Sequence, residues 1–298
     1  MPPAGSPTLA RPWSRGDGSR ARGAAPDSER LRYQREATAA VLIPAVLALL
    51  VWGPTWAFAL LAALAAGAAL WEFLAMMSGA GWRMPRAAAL LLFLAAVASA
   101  EAGSAPALLA CAAATLLVLP TLVLFGRTPE PVLLHSSAGS VFATLYVGSG
   151  AAAMVGLRSL GWKPVLLLLL VVWAGDSAAY YVGRRWGKRR LAPVVSPKKS
   201  WEGFWGQIGG GAVAAAAVSA VCGSAPAGVL LGAALGAVLS AVAVTGDLVE
   251  STFKRSLAVK DSGGLLPGHG GLLDRLDSIL FTAPIAWVAL RFLPGVIP

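Results

Sequence analysis

Long uninterrupted apolar runs constrain this chain more than any other feature of its sequence. The runs are about 18 to 24 residues long, close to the roughly 20 residues that an α-helix needs to cross the hydrocarbon core of a bilayer. Composition agrees, because 57% of the residues are hydrophobic, only 13% are charged and the mean hydropathy is +0.71. The sequence therefore predicts an all-α, polytopic integral membrane helical bundle.

The runs divide the chain into a tail and about nine predicted transmembrane helices. Residues 1–36 are rich in Pro, Gly, Ser and Arg, so we predict a disordered basic cytoplasmic tail, followed by a membrane domain over residues 37–298. The least distinct spans are the first pair, separated by Gly53 and Pro54, and the third and fourth, either of which could include a short or re-entrant helix. The predicted spans are 37–53, 55–77, 87–103, 105–125, 137–157, 163–183, 203–222, 225–245 and 279–295.

The distribution of Lys and Arg predicts the orientation, because positively charged loops stay cytoplasmic. With nine spans and the tail inside, all but three of the 24 basic residues fall on the cytoplasmic side. The three outside are Arg158, Lys163 and Arg291. The net charge of +10 therefore reflects charge flanking the spans, and it does not indicate a nucleic-acid partner. We predict a plasma-membrane protein whose polar motifs face the cytoplasm on one shared side.

One polar segment, residues 246–278, lies between two apolar runs. It holds five of the fourteen carboxylates, a density that a bilayer protein rarely tolerates without a function. Asp274 and Asp277 share a face of the helix entering the last span. Substrate phosphates often complete an Mg²⁺ site built on one or two carboxylates; ion pairs between helix ends are the alternative interpretation. A second shared face is predicted on the helix that continues from the preceding span, with Asp247, Ser251, Lys254 and Arg255.

Between these two helices lies the glycine-rich sequence GGLLPGHGG, residues 263–271. Glycine permits backbone conformations that bring N–H groups close to an anion. A plain connector is the alternative, since no Walker-type pattern is present. Elsewhere the Gly- and Ala-rich spans predict close helix packing.

A second polar motif covers residues 173–203. Asp176, Tyr180 and Arg184 recur every four residues on one helical face, and the depth of Asp176 makes it a functional candidate. Lys198 and Lys199 are predicted to form a phosphate clamp that leads into the next helix. We interpret the basic cluster 184–190 as flanking charge or lipid-headgroup contact. The clamp is flanked by Ser196, Ser200 as a predicted helix cap, Trp201 and Glu202.

These residues resemble a known family. From Ser251 to Asp277 the sequence reads S-T-F-K-R-x4-K-D-S-G-x2-L-P-G-H-G-G-L-x-D-R-L-D, which resembles the signature of the phosphatidate cytidylyltransferases, also called CDP-diacylglycerol synthases. GDSAAYYVGR and SPKKSWEG resemble the other two polar motifs of that family. The resemblance covers roughly residues 37–298 and excludes the tail. Ser177 and Ser200 stand where Thr is expected, and Ala258 stands where Gly is usual.

The resemblance implies a membrane enzyme that joins CTP to phosphatidic acid with Mg²⁺ as cofactor. It implies a hydrogen bond from His269 to phosphate, or a structural role for that residue, and it makes Asp261 a support for the metal or a partner of Lys260. A monovalent cation such as K⁺ and a homodimer are left open. The implied metal ligands are Asp247, Ser251, Asp274 and Asp277. The implied phosphate-neutralising residues are Lys254, Arg255 and Lys260. The implied substrate-binding residues are Asp176, Ser196, Lys198, Lys199, Trp201, Glu202 and Arg275.

Two other classes of membrane protein are alternatives. A CDP-alcohol phosphotransferase also uses membrane carboxylates and Mg²⁺, but its DGxxAR…GxxxDxxxD pattern is not found in the sequence. An ion-coupled transporter would use Asp176 and the carboxylates of the polar segment as its coupling site. Transporter sites commonly lie at the midplane between repeats, whereas these polar residues cluster at one predicted face.

Overall fold

The computed structural model describes residues 43–126, 128–263 and 270–297. The predicted tail, Arg127 and His269 therefore lie outside the described residues. Within the described ranges the chain forms nine α-helices, one short β-hairpin and a 3-10 turn at Pro294–Val296. The helices are α1 Ile43–Trp52, α2 Thr55–Gly79, α3 Arg86–Glu101, α4 Ala105–Phe125, α5 Glu130–Ser159, α6 Trp162–Trp186, α7 Trp201–Val221, α8 Pro226–Ser256 and α9 Leu273–Phe292.

The helical membrane fold is confirmed, and each predicted span overlaps one helix. Of the helices in the described part of the chain, six are long and apolar enough to cross a membrane, namely α2, α4, α5, α6, α7 and α8. The ten described residues of α1 extend for about 15 Å and the 16 residues of α3 for about 24 Å, less than the ~30 Å hydrocarbon core. Both belong to the pairs with the least distinct boundaries, and nine membrane crossings stay a prediction.

The polar segment begins and ends on helices, as predicted. Helix α8 continues past its predicted end at residue 245 as far as Ser256, and α9 begins at Leu273, ahead of its apolar stretch. Rings of α2 and α5 pack against the end of α8, because Phe253 packs edge-on against Phe73 and stacks on Phe142, with ring centroids 5.2 and 4.7 Å apart. The polar end of α8 therefore lies on an apolar support.

A β-hairpin occupies the segment between the predicted spans 163–183 and 203–222. Strand β1, Arg190–Ala192, pairs antiparallel with β2, Ser196–Ser200. Strands of three and five residues are too short and too polar for an alternating pattern to reveal them. The predicted helix cap at Ser200 is confirmed, since its hydroxyl accepts a hydrogen bond from the N–H of Gly203 at 3.1 Å.

Small residues bring α6, α7 and α8 close together, as the sequence predicted. A Cβ at Gly236 of α8 would clash with the carbonyl oxygen of Gly211 on α7. At Gly175 of α6 a Cβ would lie 3.0 Å from the side chain of Gln207 on α7. This close approach carries the hairpin, which joins α6 to α7, onto the end of α8.

Candidate active site

The two polar motifs meet in one direct contact. The Lys199 ammonium on β2 lies 2.6 Å from a carboxylate oxygen of Asp247 on α8. A second link joins the same elements, because the Arg255 guanidinium donates to the backbone carbonyl of Val195 at 3.4 Å. These contacts confirm that the two motifs lie close enough to share a site.

The hairpin that carries Lys198 and Lys199 is held by its own backbone contacts. The Glu202 carboxylate accepts hydrogen bonds from the N–H groups of Lys188 at 3.1 Å and Arg189 at 3.3 Å. The N–H of Trp201 donates to the carbonyl of Arg189 at 2.9 Å. Glu202 was predicted to bind substrate, and its contacts here indicate that it shapes the hairpin.

A cavity of about 420 Å³ lies between the hairpin, α6 and α7. Its cationic lining, which we call the basic cavity, consists of Arg184, Arg190, Lys198 and Lys199. Arg184 and Arg190, which were interpreted as flanking charge or lipid-headgroup contact, line the same cavity as the lysine pair, and that interpretation stays a prediction. Arg184 also donates to the Tyr180 hydroxyl at 3.0 Å, in agreement with their predicted shared face. Arg185 instead stacks over the Trp186 ring at 5.5 Å.

Carboxylates surround the other side of Lys199. Asp176 accepts a hydrogen bond from the Gln207 amide at 2.8 Å and interacts electrostatically with Asp247 and Lys199. Asp277 lies in the polar first turns of α9, where burial and then the negative charge of Asp247 raise its pKa to about 7. Asp247 contacts Lys199 directly, and Asp176 and Asp277 interact with Lys199 electrostatically. We call Asp176, Asp247 and Asp277 the acidic group, and it lies directly beside the basic cavity.

The donor chemistry of this group fits a hard divalent cation. Asp247 accepts a hydrogen bond from the Ser251 hydroxyl at 3.2 Å, so two of the predicted ligands are adjacent. Within the described ranges, no set of three or more His, Cys, Asp or Glu side chains is arranged to hold a metal. Mg²⁺ does not need such a set, because one or two carboxylates with phosphate oxygens and water commonly suffice. Metal binding by Asp247, Ser251 and Asp277 stays a prediction.

Asp274, the remaining predicted ligand, faces a different set of partners. One carboxylate oxygen lies 2.7 Å from the Lys254 ammonium, which also contacts Glu250 at 2.5 Å. The other accepts from the N–H groups of Ser262 at 3.1 Å and Gly271 at 3.2 Å. Burial raises the pKa of Asp274, but hydrogen bonds with Glu250, Lys254 and Ser262 outweigh it and hold the pKa at about 2. Asp274 therefore joins α8, α9 and the glycine-rich loop.

Glu72 on α2 is a residue that the sequence interpretation missed. Its side chain is buried and accepts hydrogen bonds from the N–H of Leu273 at 3.0 Å and the Ser262 hydroxyl at 3.4 Å. A Cβ at Gly263 would clash with the Glu72 carboxylate, and one at Gly271 with the Ser262 hydroxyl. These glycines bring loop N–H groups to the protein's own carboxylates. An acidic residue inside a predicted span was the available signal.

The other predicted site residues lie around this centre. Lys260, Asp261 and Arg275 are exposed. Trp201 packs edge-on against Phe204, with ring centroids 5.6 Å apart, and Ser196 begins β2, where it pairs with Ala192. No ion pair joins Lys260 to Asp261 in the described part of the chain. The catalytic or substrate-binding roles of these residues stay predictions.

Comparison with known proteins gives a consistent result. Proteins named phosphatidate cytidylyltransferase include one from Mycobacterium bovis that is 41% identical over 156 residues, 52% of this chain and 49% of that protein. One from Mycobacterium leprae is 41% identical over 170 residues, covering 56% and 53%, and one from Staphylococcus epidermidis is 40% identical over 154 residues, covering 52% and 59%.

The chain therefore spans about half the length of the curated relatives it matches. The model of the cytidylyltransferase family, in contrast, matches residues 33–293, which include every helix and both strands described above. With that coverage, the chain belongs to the cytidylyltransferase family.

Proposed function

We propose that the protein transfers the cytidylyl group of CTP to phosphatidic acid, releasing pyrophosphate and forming CDP-diacylglycerol for phospholipid biosynthesis. Family membership supports a cytidylyl transfer, and the relatives' name supports phosphatidate as the acceptor. The observation that carries the proposal is the 2.6 Å contact between Lys199 and Asp247. This contact places a cation-lined cavity beside a group of carboxylates. A site that binds a nucleoside triphosphate together with a divalent cation requires such an arrangement.

The reaction needs positioning and charge neutralisation more than it needs a protein nucleophile. A phosphate oxygen of phosphatidate attacks the α-phosphorus of CTP and forms a new P–O bond. The bond to the β-phosphate breaks, and its electron pair leaves with pyrophosphate. Because the attacking oxygen is already anionic, no strong base is required, and the residues must hold the two phosphates in line.

The basic cavity is the proposed site of the CTP triphosphate. Its guanidinium and ammonium groups can donate charge-assisted hydrogen bonds to phosphate oxygens. Lys199 occupies the boundary with the acidic group, so its charge lies where negative charge increases on the leaving pyrophosphate. Arg255, which holds the hairpin through Val195, is proposed to maintain this arrangement.

The acidic group is the proposed Mg²⁺ site. Asp247 and Asp277 would hold the ion, with the Ser251 hydroxyl adjacent to Asp247. When bound, Mg²⁺ would withdraw negative charge from the phosphates of CTP. Asp274 and Lys254 are proposed to fix the distance between α8 and α9, and thereby the distance between Asp247 and Asp277. A monovalent cation and a homodimer stay predictions.

We further propose nine membrane crossings in the plasma membrane, with the site on the cytoplasmic side where CTP is available. The distribution of Lys and Arg supports this orientation. Fusing a reporter to the chain after α8 tests it, since a cytoplasmic reporter would be inaccessible to an impermeant reagent in intact cells. Labelling from outside would overturn the orientation.

The reaction itself is tested with purified protein, CTP, phosphatidate and Mg²⁺. Pyrophosphate release that requires the lipid is expected. A transporter would release none, and a CDP-alcohol phosphotransferase would consume a CDP-lipid and release CMP. Either of these results would replace the proposed function.

A further inference from the structure

A second cavity lies at the opposite end of the helices from the candidate active site. It has a volume of about 490 Å³ and is lined mostly by apolar side chains of α3, α4, α5 and α9, including Phe93, Leu108 and Ala152. Helix α9 connects the two regions, because Asp274 lies in its first turn and Arg291 lies 17 residues later, about 26 Å along the helix. We call this second cavity the rear cavity. It is remote from both the basic cavity and the acidic group.

A cationic rim borders the rear cavity. Arg291 lines the apolar cavity and also a neighbouring one of about 450 Å³, which Lys163 lines from the start of α6. In the described ranges neither Arg291 nor Lys163 forms an ion pair with a carboxylate. Two of the three basic residues predicted outside the cytoplasm thus converge on one rim, next to an apolar cavity.

The interior and the rim of the rear cavity differ in chemistry. The side chains inside it are mostly apolar, whereas Arg291 and Lys163 at the rim are cationic. An apolar cavity with two cations at its rim matches an acyl chain and the phosphate of a glycerophospholipid.

We propose that this rear cavity binds one anionic glycerophospholipid from the leaflet opposite the active site. An acyl chain lies in the apolar cavity, and the headgroup phosphate lies between Lys163 and Arg291. The proposal rests on these residues and on the membrane fold, and it does not depend on the reaction proposed above.

The test uses the full chain in phosphatidylcholine nanodiscs that contain phosphatidylglycerol with a diazirine in one acyl chain. Cross-links are mapped by mass spectrometry, and they are expected on the ends of α3, α4 and α9 that line the rear cavity. The matched probe is phosphatidylcholine with the same diazirine. Equal cross-linking by the two probes would overturn the proposal, because the cationic rim would then select nothing.

Two variants test the two parts of the site. Lys163→Gln with Arg291→Gln is expected to weaken binding of the phosphatidylglycerol probe about thirtyfold, since each cation near a membrane surface contributes about fivefold. Arg185→Gln with Lys188→Gln removes two charges near the hairpin and should change the rear cross-links little.

A third variant, Ala112→Phe, fills the apolar cavity and leaves every charge in place. It is expected to remove the cross-links from the rear cavity, and its melting temperature shows whether the fold is retained. The proposal fails if the cross-links survive both the filled cavity and the loss of the two cations.

Discussion

Glu72 gives the sharpest test of how the glycine-rich loop is held. In Glu72→Ala the N–H of Leu273 and the hydroxyl of Ser262 lose a buried acceptor. Each unsatisfied donor costs about 1–3 kcal/mol. The native positions of Ser262 and Leu273 should therefore lose about 2–6 kcal/mol relative to alternative conformations, which corresponds to a change of thirtyfold or more in their population.

The effect on catalysis follows from the position of Leu273. That residue begins α9, one position before Asp274 and four before Asp277, so loss of the Glu72 contact should move both carboxylates. We expect kcat/KM to fall about thirtyfold or more in Glu72→Ala, with a lower melting temperature. Glu72→Gln keeps one carbonyl acceptor and should cost about 1 kcal/mol, or about fivefold.

The assay is lipid-dependent pyrophosphate release, together with hydrogen exchange across residues 258–276. Exchange should increase in the alanine variant and change less in the glutamine variant. The control is Glu101→Ala, which removes an exposed carboxylate at the end of α3. Wild-type exchange and activity in Glu72→Ala would refute the reasoning, because the buried carboxylate would then hold nothing that the reaction needs.

Three further predictions separate the parts of the site. Asp247→Asn should lower kcat about 100-fold or more with an unchanged melting temperature. Asp274→Asn should lower both kcat and the melting temperature, because this substitution also releases Lys254 and two loop N–H groups. Equal melting temperatures for the two variants would contradict this distinction. The double variant Arg184→Gln with Arg190→Gln should raise the KM for CTP about tenfold or more, and Arg185→Gln should leave this KM near the wild-type value. The reverse ranking would show that the triphosphate does not bind in the basic cavity. Mg²⁺ should raise the melting temperature of the wild type but not of Asp247→Asn, and an equal rise in both would remove Asp247 from the metal site.

The sequence predicted the elements that repeat or have a characteristic length. Apolar length and helical spacing predicted the helical class, the extension of α8 beyond its span, and the shared face of Asp247 and Ser251. The proximity of the two motifs followed from the distribution of charge, and the contact between Lys199 and Asp247 confirms it. The number of crossings did not follow, because the ten described residues of α1 and the 16 residues of α3 are shorter than a span, and α9 carries charged residues in its first turns.

Residues whose partners are distant in sequence could not be predicted. Glu72 lies about 190 positions before Ser262, and no spacing rule connects two residues so far apart. Arg184 and Arg190 look like ordinary flanking charge until the hairpin folds back and makes them neighbours of Lys198. The family resemblance implied that Asp274 binds metal, whereas its contacts with Lys254 and the loop depend on tertiary packing.

The central claim, cytidylyl transfer to phosphatidate, is tested most directly by following the phosphorus atoms of CTP. Purified protein is incubated with phosphatidate, Mg²⁺ and CTP labelled at either the α- or the γ-phosphate. The α label should appear in the lipid fraction and the γ label in pyrophosphate, in equal amounts and only when phosphatidate is present. An α label that stays in water-soluble products, with Asp247→Asn behaving like the wild type, would contradict the account.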